Sequence, residues 1–145
     1  MYLACKAPLN DAGKMFRQVY RMLPGHPNVP EPAWTINVDE INDLIAARYP
    51  SSEKRKVSFN PSAIAIHPQT GEKYVLSASD RMIAVFTGNG LARIYPLPAE
   101  LYYKPEGMAF TSDGGLFISS EGMKSQSDRG KIFFFRRKVT GQTNH

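Results

Sequence analysis

Two glutamates, Glu106 and Glu121, are the residues of this sequence whose type and spacing could do chemistry. Between them stands Asp113-Gly114, a pair that favours a two-residue β-hairpin turn. That turn would place Glu106 directly opposite Glu121 on antiparallel strands, with Cβ atoms about 5 Å apart. Two carboxylates this close repel each other unless a cation lies near them. The spacing therefore predicts a hard-cation site built from oxygen ligands, and calcium is the expected cation.

A second interpretation of the two glutamates stays open. Each carboxylate would be solvated and paired with a basic residue such as Lys104 or Lys124. Such exposed ion pairs are common on protein surfaces and contribute little to stability. In that arrangement the pair would form ordinary surface contacts, and no metal would be required.

The glutamates belong to the second copy of a repeated pattern. The first copy is Pro61-Ser-Ala-Ile-Ala-Ile66, a turn, and Tyr74-Val-Leu-Ser-Ala-Ser79; the second is Pro105-Glu-Gly-Met-Ala-Phe110, a turn, and Leu116-Phe-Ile-Ser-Ser-Glu121. The two starting prolines are 44 residues apart. A period of about 40–50 residues with several short strands per unit is typical of a β-propeller blade. A two-sheet sandwich, which also uses this alternation, stays open as an alternative, and the 44-residue repeat favours the propeller over it.

The strand count predicts an all-β fold with incomplete blades at both ends. Residues 1–38 predict three strands, residues 57–97 four, and residues 105–137 three. A helical insert is expected over residues 39–56, with one or two turns of helix capped by Asp39. The four prolines between Pro24 and Pro32 predict an interruption of the strand ladder there.

A complete blade has four strands, so the first blade lacks its first strand and the last blade lacks its last. We therefore expect residues 1–145 to form the C-terminal half of a longer propeller. The exposed sheet edges would be covered by a missing N-terminal half or by a second copy of the chain.

The same architecture predicts a polar rim beside the propeller axis. The first strand of a blade starts, and its second strand ends, on this rim, which therefore also carries Lys6, Ser62, Ser79 and Asp80. A mixed polar rim is consistent with a ligand pocket but names no ligand. No catalytic residue is indicated, since His26, His67 and His145 lack metal-ligand spacing and no nucleophile-elbow motif is present.

The composition narrows the classes of protein further. With 42% hydrophobic and 21% charged residues, the chain is typical of a globular domain. No apolar run approaches the roughly 20 residues of a membrane-spanning helix, and no signal peptide is visible. The net charge of +5 comes largely from the basic groups at 54–56 and 136–138, which we interpret as solvated segments rather than a nucleic-acid site. Cys5 stands alone, which excludes an intrachain disulfide.

Several of these segments together resemble the SdiA-regulated family of bacterial calcium-regulated propellers. The resemblance is carried by Tyr2-Leu-Ala-Cys-Lys6, Pro61-Ser-Ala-Ile-Ala-Ile-His-Pro68, Ser77-Ala-Ser-Asp80, and Lys104-Pro-Glu-Gly-Met-Ala-Phe110 with Leu116-Phe-Ile-Ser-Ser-Glu-Gly122. It implies a six-bladed propeller, export to the periplasm or cell envelope, and calcium association in some members. The chain departs from the family in length, since about half of a propeller is present.

Three functions follow from these expectations. The first is a ligand- or calcium-binding propeller of the bacterial cell envelope. The second is a phytase-like or esterase-like hydrolase, because the Pro-Glu-Gly and Ser-Glu-Gly elements also resemble those propellers; Glu106 and Glu121 would then hold a metal that polarises the substrate. The third is a scaffold for protein partners. The sequence does not decide whether the chain is an enzyme.

Overall fold

The structure is a computed structural model that describes residues 1–6, 15–50, 56–88, 90–122 and 129–137, with side chains at all of these positions except 27–29. Some predicted features fall outside the described residues. They are Lys54, Arg55, Lys124, Lys138 and His145. The sequence Gly88-Asn89-Gly90 also predicts a hairpin turn, and its central residue lies outside the described residues.

The described strands form three antiparallel sheets, and in each sheet the strands are neighbours in chain order. The sheets contain three, four and three strands, in the order that the sequence predicted. The first sheet holds β1 (Tyr2–Ala4), β2 (Phe16–Leu23) and β3 (His26–Asn37); the second holds β4 (Pro61–Ile66), β5 (Lys73–Ser77), β6 (Met82–Thr87) and β7 (Gly90–Pro96); the third holds β8 (Lys104–Phe110), β9 (Leu116–Glu121) and β10 (Lys131–Phe135). The all-β prediction is therefore confirmed.

The predicted helix is present as α1 (Val38–Arg48), but its cap and length differ from the prediction. Its N-cap is Asn37, whose side chain accepts a hydrogen bond from the Asp39 backbone N–H at 3.0 Å. Asp39 instead stands in the first turn, where its negative charge interacts favourably with the helix dipole. The helix runs for 11 residues because Val38 and Ile41 are buried against the strands. This helix is not long and apolar enough to cross a membrane, and no other described helix is.

The predicted interruption by prolines is wrong. Strand β3 runs from His26 through Pro32, which lies opposite Tyr20 of β2. A proline lacks the N–H that a ladder needs, but β3 is the edge strand of its sheet, where one side of the backbone has no strand partner. Register shifts in the β2–β3 pairing accommodate the prolines.

The second sheet is the middle layer of the molecule. Every residue of β6 from Met82 to Phe86 is buried, and successive side chains enter opposite clusters. Met82, Ala84 and Phe86 pack with the first sheet and α1, whereas Ile83 and Val85 pack with the third sheet. A strand that is apolar on both faces is typical of a sheet packed on both sides.

The first strands of the three sheets lie side by side. Strand β4 contacts both β1 and β8, while at the other side of the second sheet α1 contacts β7. The end of β1 and the starts of β4 and β8 therefore meet at one rim. The candidate site lies on this rim.

Candidate functional site

A cavity of about 610 Å³ lies on the rim where β1, β4 and β8 meet. Its wall includes four of the residues that the sequence predicted for this rim, namely Lys6, Ser62, Ser79 and Glu106. These residues come from four separate segments of the chain. Among the described residues, Asp80 and Glu121 stand outside the cavity lining, although both contact residues that belong to it.

The predicted pairing of Glu106 with Glu121 is wrong. The turn of this hairpin has three residues, 112–114, rather than two, and Gly114 closes it in the left-handed conformation with φ of 91°. The Thr111 N–H donates to the Gly115 carbonyl at 2.8 Å, and Phe110 lies opposite Leu116. A type I turn closed by a left-handed glycine is the usual three-residue hairpin.

A β-bulge then moves the register again at Glu106. Pro105 lies opposite Ser120, Gly107 lies opposite Ser119, and Glu106 between them has no partner of its own. As a result Lys104, not Glu106, faces Glu121. A bulged residue re-aims its side chain, and bulges are common beside functional sites.

The first copy of the repeat has the same bulge. Pro61 lies opposite Ser77 and Ala63 lies opposite Leu76, which leaves Ser62 unpaired. Both bulged residues, Ser62 and Glu106, line the rim cavity. The signal available in the sequence was the proline at the start of each strand, because proline provides no N–H to a regular ladder.

Lys104 connects the two glutamates. Its Nζ lies 3.1 Å from Glu106 Oε1 and 3.2 Å from Glu121 Oε2. The hydrogen bond from Lys104 lowers the pKa of Glu106, and the positive charges of Lys104 and Lys6 lower it further. The same contacts with Glu106 and Glu121 raise the pKa of Lys104. This is the ion-pair interpretation that the sequence left open, with Lys104 as the shared partner.

The donor set as arranged suits an ammonium group better than a calcium ion. Calcium takes six to eight oxygen ligands, whereas here two carboxylates already share one lysine. Within the described part of the chain, no group of three or more His, Cys, Asp or Glu side chains is placed to hold a metal. Lys6 and Arg81 add positive charge to the same cavity. The calcium site stays a prediction.

Asp80 fixes the β5–β6 turn beside the cavity. Its carboxylate accepts hydrogen bonds from Ser77 Oγ at 2.7 Å and from Ser79 Oγ at 3.0 Å. Ser77 is fully buried, and its hydroxyl also accepts the Asn60 backbone N–H at 3.1 Å. Asp80 therefore acts on the site by fixing the Ser79 side of its wall.

A buried arginine, which the sequence analysis missed, supports the neighbouring segment. Arg17 is only 5% exposed and donates to the Ser58 carbonyl at 2.7 Å and to Asn60 Oδ1 at 3.3 Å. Burial lowers the pKa of Arg17, and the negative charge of Asp80 opposes that effect. Arg17 alternates with Val19 on the inward face of β2, and this position was the available signal.

Two non-glycine residues near the cavity have left-handed backbones. Phe59, fully buried, has φ of 41°, and Arg81, which lines the cavity, has φ of 49°. The Arg81 N–H donates to the Ala78 carbonyl at 3.3 Å and its own carbonyl accepts from Leu97, which fixes the turn. Such conformations are disfavoured for residues with a Cβ and occur often at binding sites.

No protein-family model, curated protein or solved structure matches this chain.

Proposed function

We propose that this chain is a ligand-binding unit of a β-propeller and that it takes a small polar molecule in the rim cavity. The observation that carries the proposal is the cavity wall itself. Four chain segments that are distant in sequence bring Lys6, Ser62, Ser79 and Glu106 to one space of about 610 Å³. That volume falls within the roughly 300–1,000 Å³ of typical small-molecule sites.

The propeller part of the proposal is supported by how the sheets are arranged. Three consecutive antiparallel sheets follow one another along the chain, and β4 contacts both β1 and β8. At the far side, α1 lies against β7. Sheets that meet at their first strands, with a helix inserted farther out, suit blades arranged around an axis. By resemblance to the SdiA-regulated family, we place the parent protein in the bacterial cell envelope.

Ligand screening by NMR tests the binding function. A library of small neutral polar compounds is titrated into the protein, and shifts of backbone amides are followed. We expect binders to move the amides of Ser62, Ser79 and Glu106. A Ser79→Trp variant, which fills the exposed mouth of the cavity, should lose these shifts. Ser112→Trp is the matched control, because Ser112 is exposed in the turn of the β8–β9 hairpin.

The proposal would be contradicted by two results. One is that compounds bind but move amides away from the rim cavity. The other is that Ser79→Trp and Ser112→Trp bind the same compounds equally well.

A further inference from the structure

The rim cavity has an excess of positive charge. Its lining contains three cationic side chains, Lys6, Arg81 and Lys104, and one carboxylate, Glu106. Lys104 is already shared between Glu106 and Glu121. Lys6 lies near enough to Glu106 to lower the pKa of its carboxyl. Within the lining itself the cations outnumber the carboxylates by three to one, while Asp80 and Glu121 stand just outside it. The lining groups therefore favour an anion.

Arg81 is the cation without a counter-charge. The residue is partly exposed, and within the described residues none of the ion pairs involves it. The adjacent carboxylate, Asp80, accepts hydrogen bonds from Ser77 and Ser79 instead. An arginine at a cavity wall is available to an anionic partner, which it binds through charge-assisted hydrogen bonds. A bound anion would supply that partner.

The backbone of Arg81 points to the same conclusion. Its φ of 49° is strained for arginine, whereas glycine would adopt it freely. The backbone therefore gives no reason for an arginine at this position. Arg81 lines the cavity, so its side chain is the part of this residue that a bound ligand would contact.

The rest of the wall suits an organic anion rather than a bare ion. Asn60, Ser62 and Ser79 supply neutral hydrogen-bonding groups. Tyr103, 49% exposed, adds an aromatic ring at the wall. Arginine binds carboxylate and phosphate groups through two parallel hydrogen bonds.

We propose that the rim cavity binds a small organic anion bearing a carboxylate or phosphate group, and that Arg81 is the principal anion-binding residue, assisted by Lys6. This rests on the proposed ligand-binding function of the same cavity and names the chemical class of its ligand. The remaining groups of the ligand contact Ser62, Ser79 and Tyr103.

Isothermal titration calorimetry with citrate and with inorganic phosphate, at constant ionic strength, tests this inference. Citrate represents ligands that carry a carboxylate group, and inorganic phosphate represents ligands that carry a phosphate group. We expect at least one of them to bind the unmodified chain. Arg81→Gly should weaken that binding by about tenfold or more, because charge-assisted hydrogen bonds are lost.

The variants are chosen so that a loss of anion binding cannot be caused by a folding defect. Glycine relieves the strained φ, so the thermal midpoint of Arg81→Gly should equal or exceed that of the unmodified chain. Arg48→Gln is the control for loss of a single positive charge, because Arg48 lies exposed in the last turn of α1. It should leave anion affinity unchanged.

Two outcomes would overturn the inference. In the first, neither citrate nor phosphate binds. In the second, Arg81→Gly and Arg48→Gln weaken binding equally, which would show that the anions respond to the net charge of the protein and not to Arg81 in particular. If neutral polar compounds still move the amides of Ser62 and Ser79, the proposed ligand-binding function stands although the anion inference fails.

Discussion

The ammonium group of Lys104 lies within 3.2 Å of two carboxylates, those of Glu106 and Glu121. All three side chains are partly exposed, so solvent screens these ion pairs. Their effect is therefore clearer in the titration of Glu106 than in the stability of the fold. The depressed pKa gives Glu106 a stabilising contribution that is complete above the ordinary glutamate pKa. That contribution is lost as the pH falls through the depressed value.

Removing Lys104 should raise the pKa of Glu106. In a Lys104→Met variant the carboxylate loses its hydrogen-bonded cation, which is the largest cause of the depression. An NMR titration of the glutamate carboxyl carbons measures the change. Lys6→Met serves as the control and should give a smaller rise, because Lys6 acts on Glu106 only through its charge. An equal rise in both variants would contradict the geometry.

The same Lys104→Met variant tests the calcium prediction. A calcium ion held by Glu106 and Glu121 must displace the ammonium group of Lys104. Removing that ammonium group should therefore strengthen calcium binding, which calorimetry measures. The double variant Glu106→Gln, Glu121→Gln should then bind no calcium at this place. Identical heats from the unmodified chain and both variants would exclude these glutamates as calcium ligands.

At the scale of secondary-structure elements, the β-bulge at the start of β8 positions the site. Gly107 follows the bulged residue Glu106 and lies opposite Ser119. A Cβ at Gly107 would collide with Ser119 Oγ, so the Ser119 hydroxyl would have to leave its present position. The corresponding bulge in β4 places Ser62 at the same cavity.

A Gly107→Ala variant should destabilise the fold by about 1 kcal/mol, because the added methyl group overpacks this contact. The free energy of unfolding from urea titration measures the effect. Gly90→Ala is the matched control, since its Cβ would meet only the Thr87 carbonyl oxygen at an ordinary distance of 3.9 Å. Adding Ser119→Ala to Gly107→Ala removes the colliding oxygen and should restore stability. Failure of this rescue would show that the bulge itself, rather than the contact, had been disturbed.

At the scale of the whole molecule, the two outer sheets each expose an apolar face. On the third sheet, Phe117 and Phe134 stack with ring centroids 4.5 Å apart, and Ile132 beside them is 74% exposed. On the first sheet, Leu3 and Phe16 are exposed. Between the layers of this molecule, similar faces pack against each other. We therefore expect further sheets to cover the outer faces in a complete propeller.

For the isolated chain, we expect a second copy to cover these faces and to give concentration-dependent association in analytical ultracentrifugation. Phe134→Lys should weaken this association, because a lysine cannot be buried against an apolar sheet without cost. Tyr95→Lys is the control, since Tyr95 is similarly exposed but lies on the middle sheet. A chain that remains monomeric at all concentrations would argue against half of a propeller.

The repeat and the alternation of apolar residues were sufficient to predict three antiparallel sheets of three, four and three strands. These signals are local, because each strand must present its apolar residues at a period of two to whichever sheet packs against it. The rim residues Lys6, Ser62, Ser79 and Glu106 followed from strand order alone. In an antiparallel meander each strand reverses the direction of the one before it, so the order of the strands decides at which edge of the sheet each strand ends.

The pairing of Glu106 could not be obtained in this way. It depends on a three-residue turn and a bulge, each of which moves the register by one residue and so changes which side chains face each other. The contacts of Arg17 and the place of Arg81 in the cavity wall also required the tertiary structure. The sequence shows that a residue is charged, but only the tertiary structure shows which groups lie beside that charge and whether one of them is an ion-pair partner. Sequence thus determined the sheets and the rim of this protein, and tertiary contacts decided the charge of its cavity.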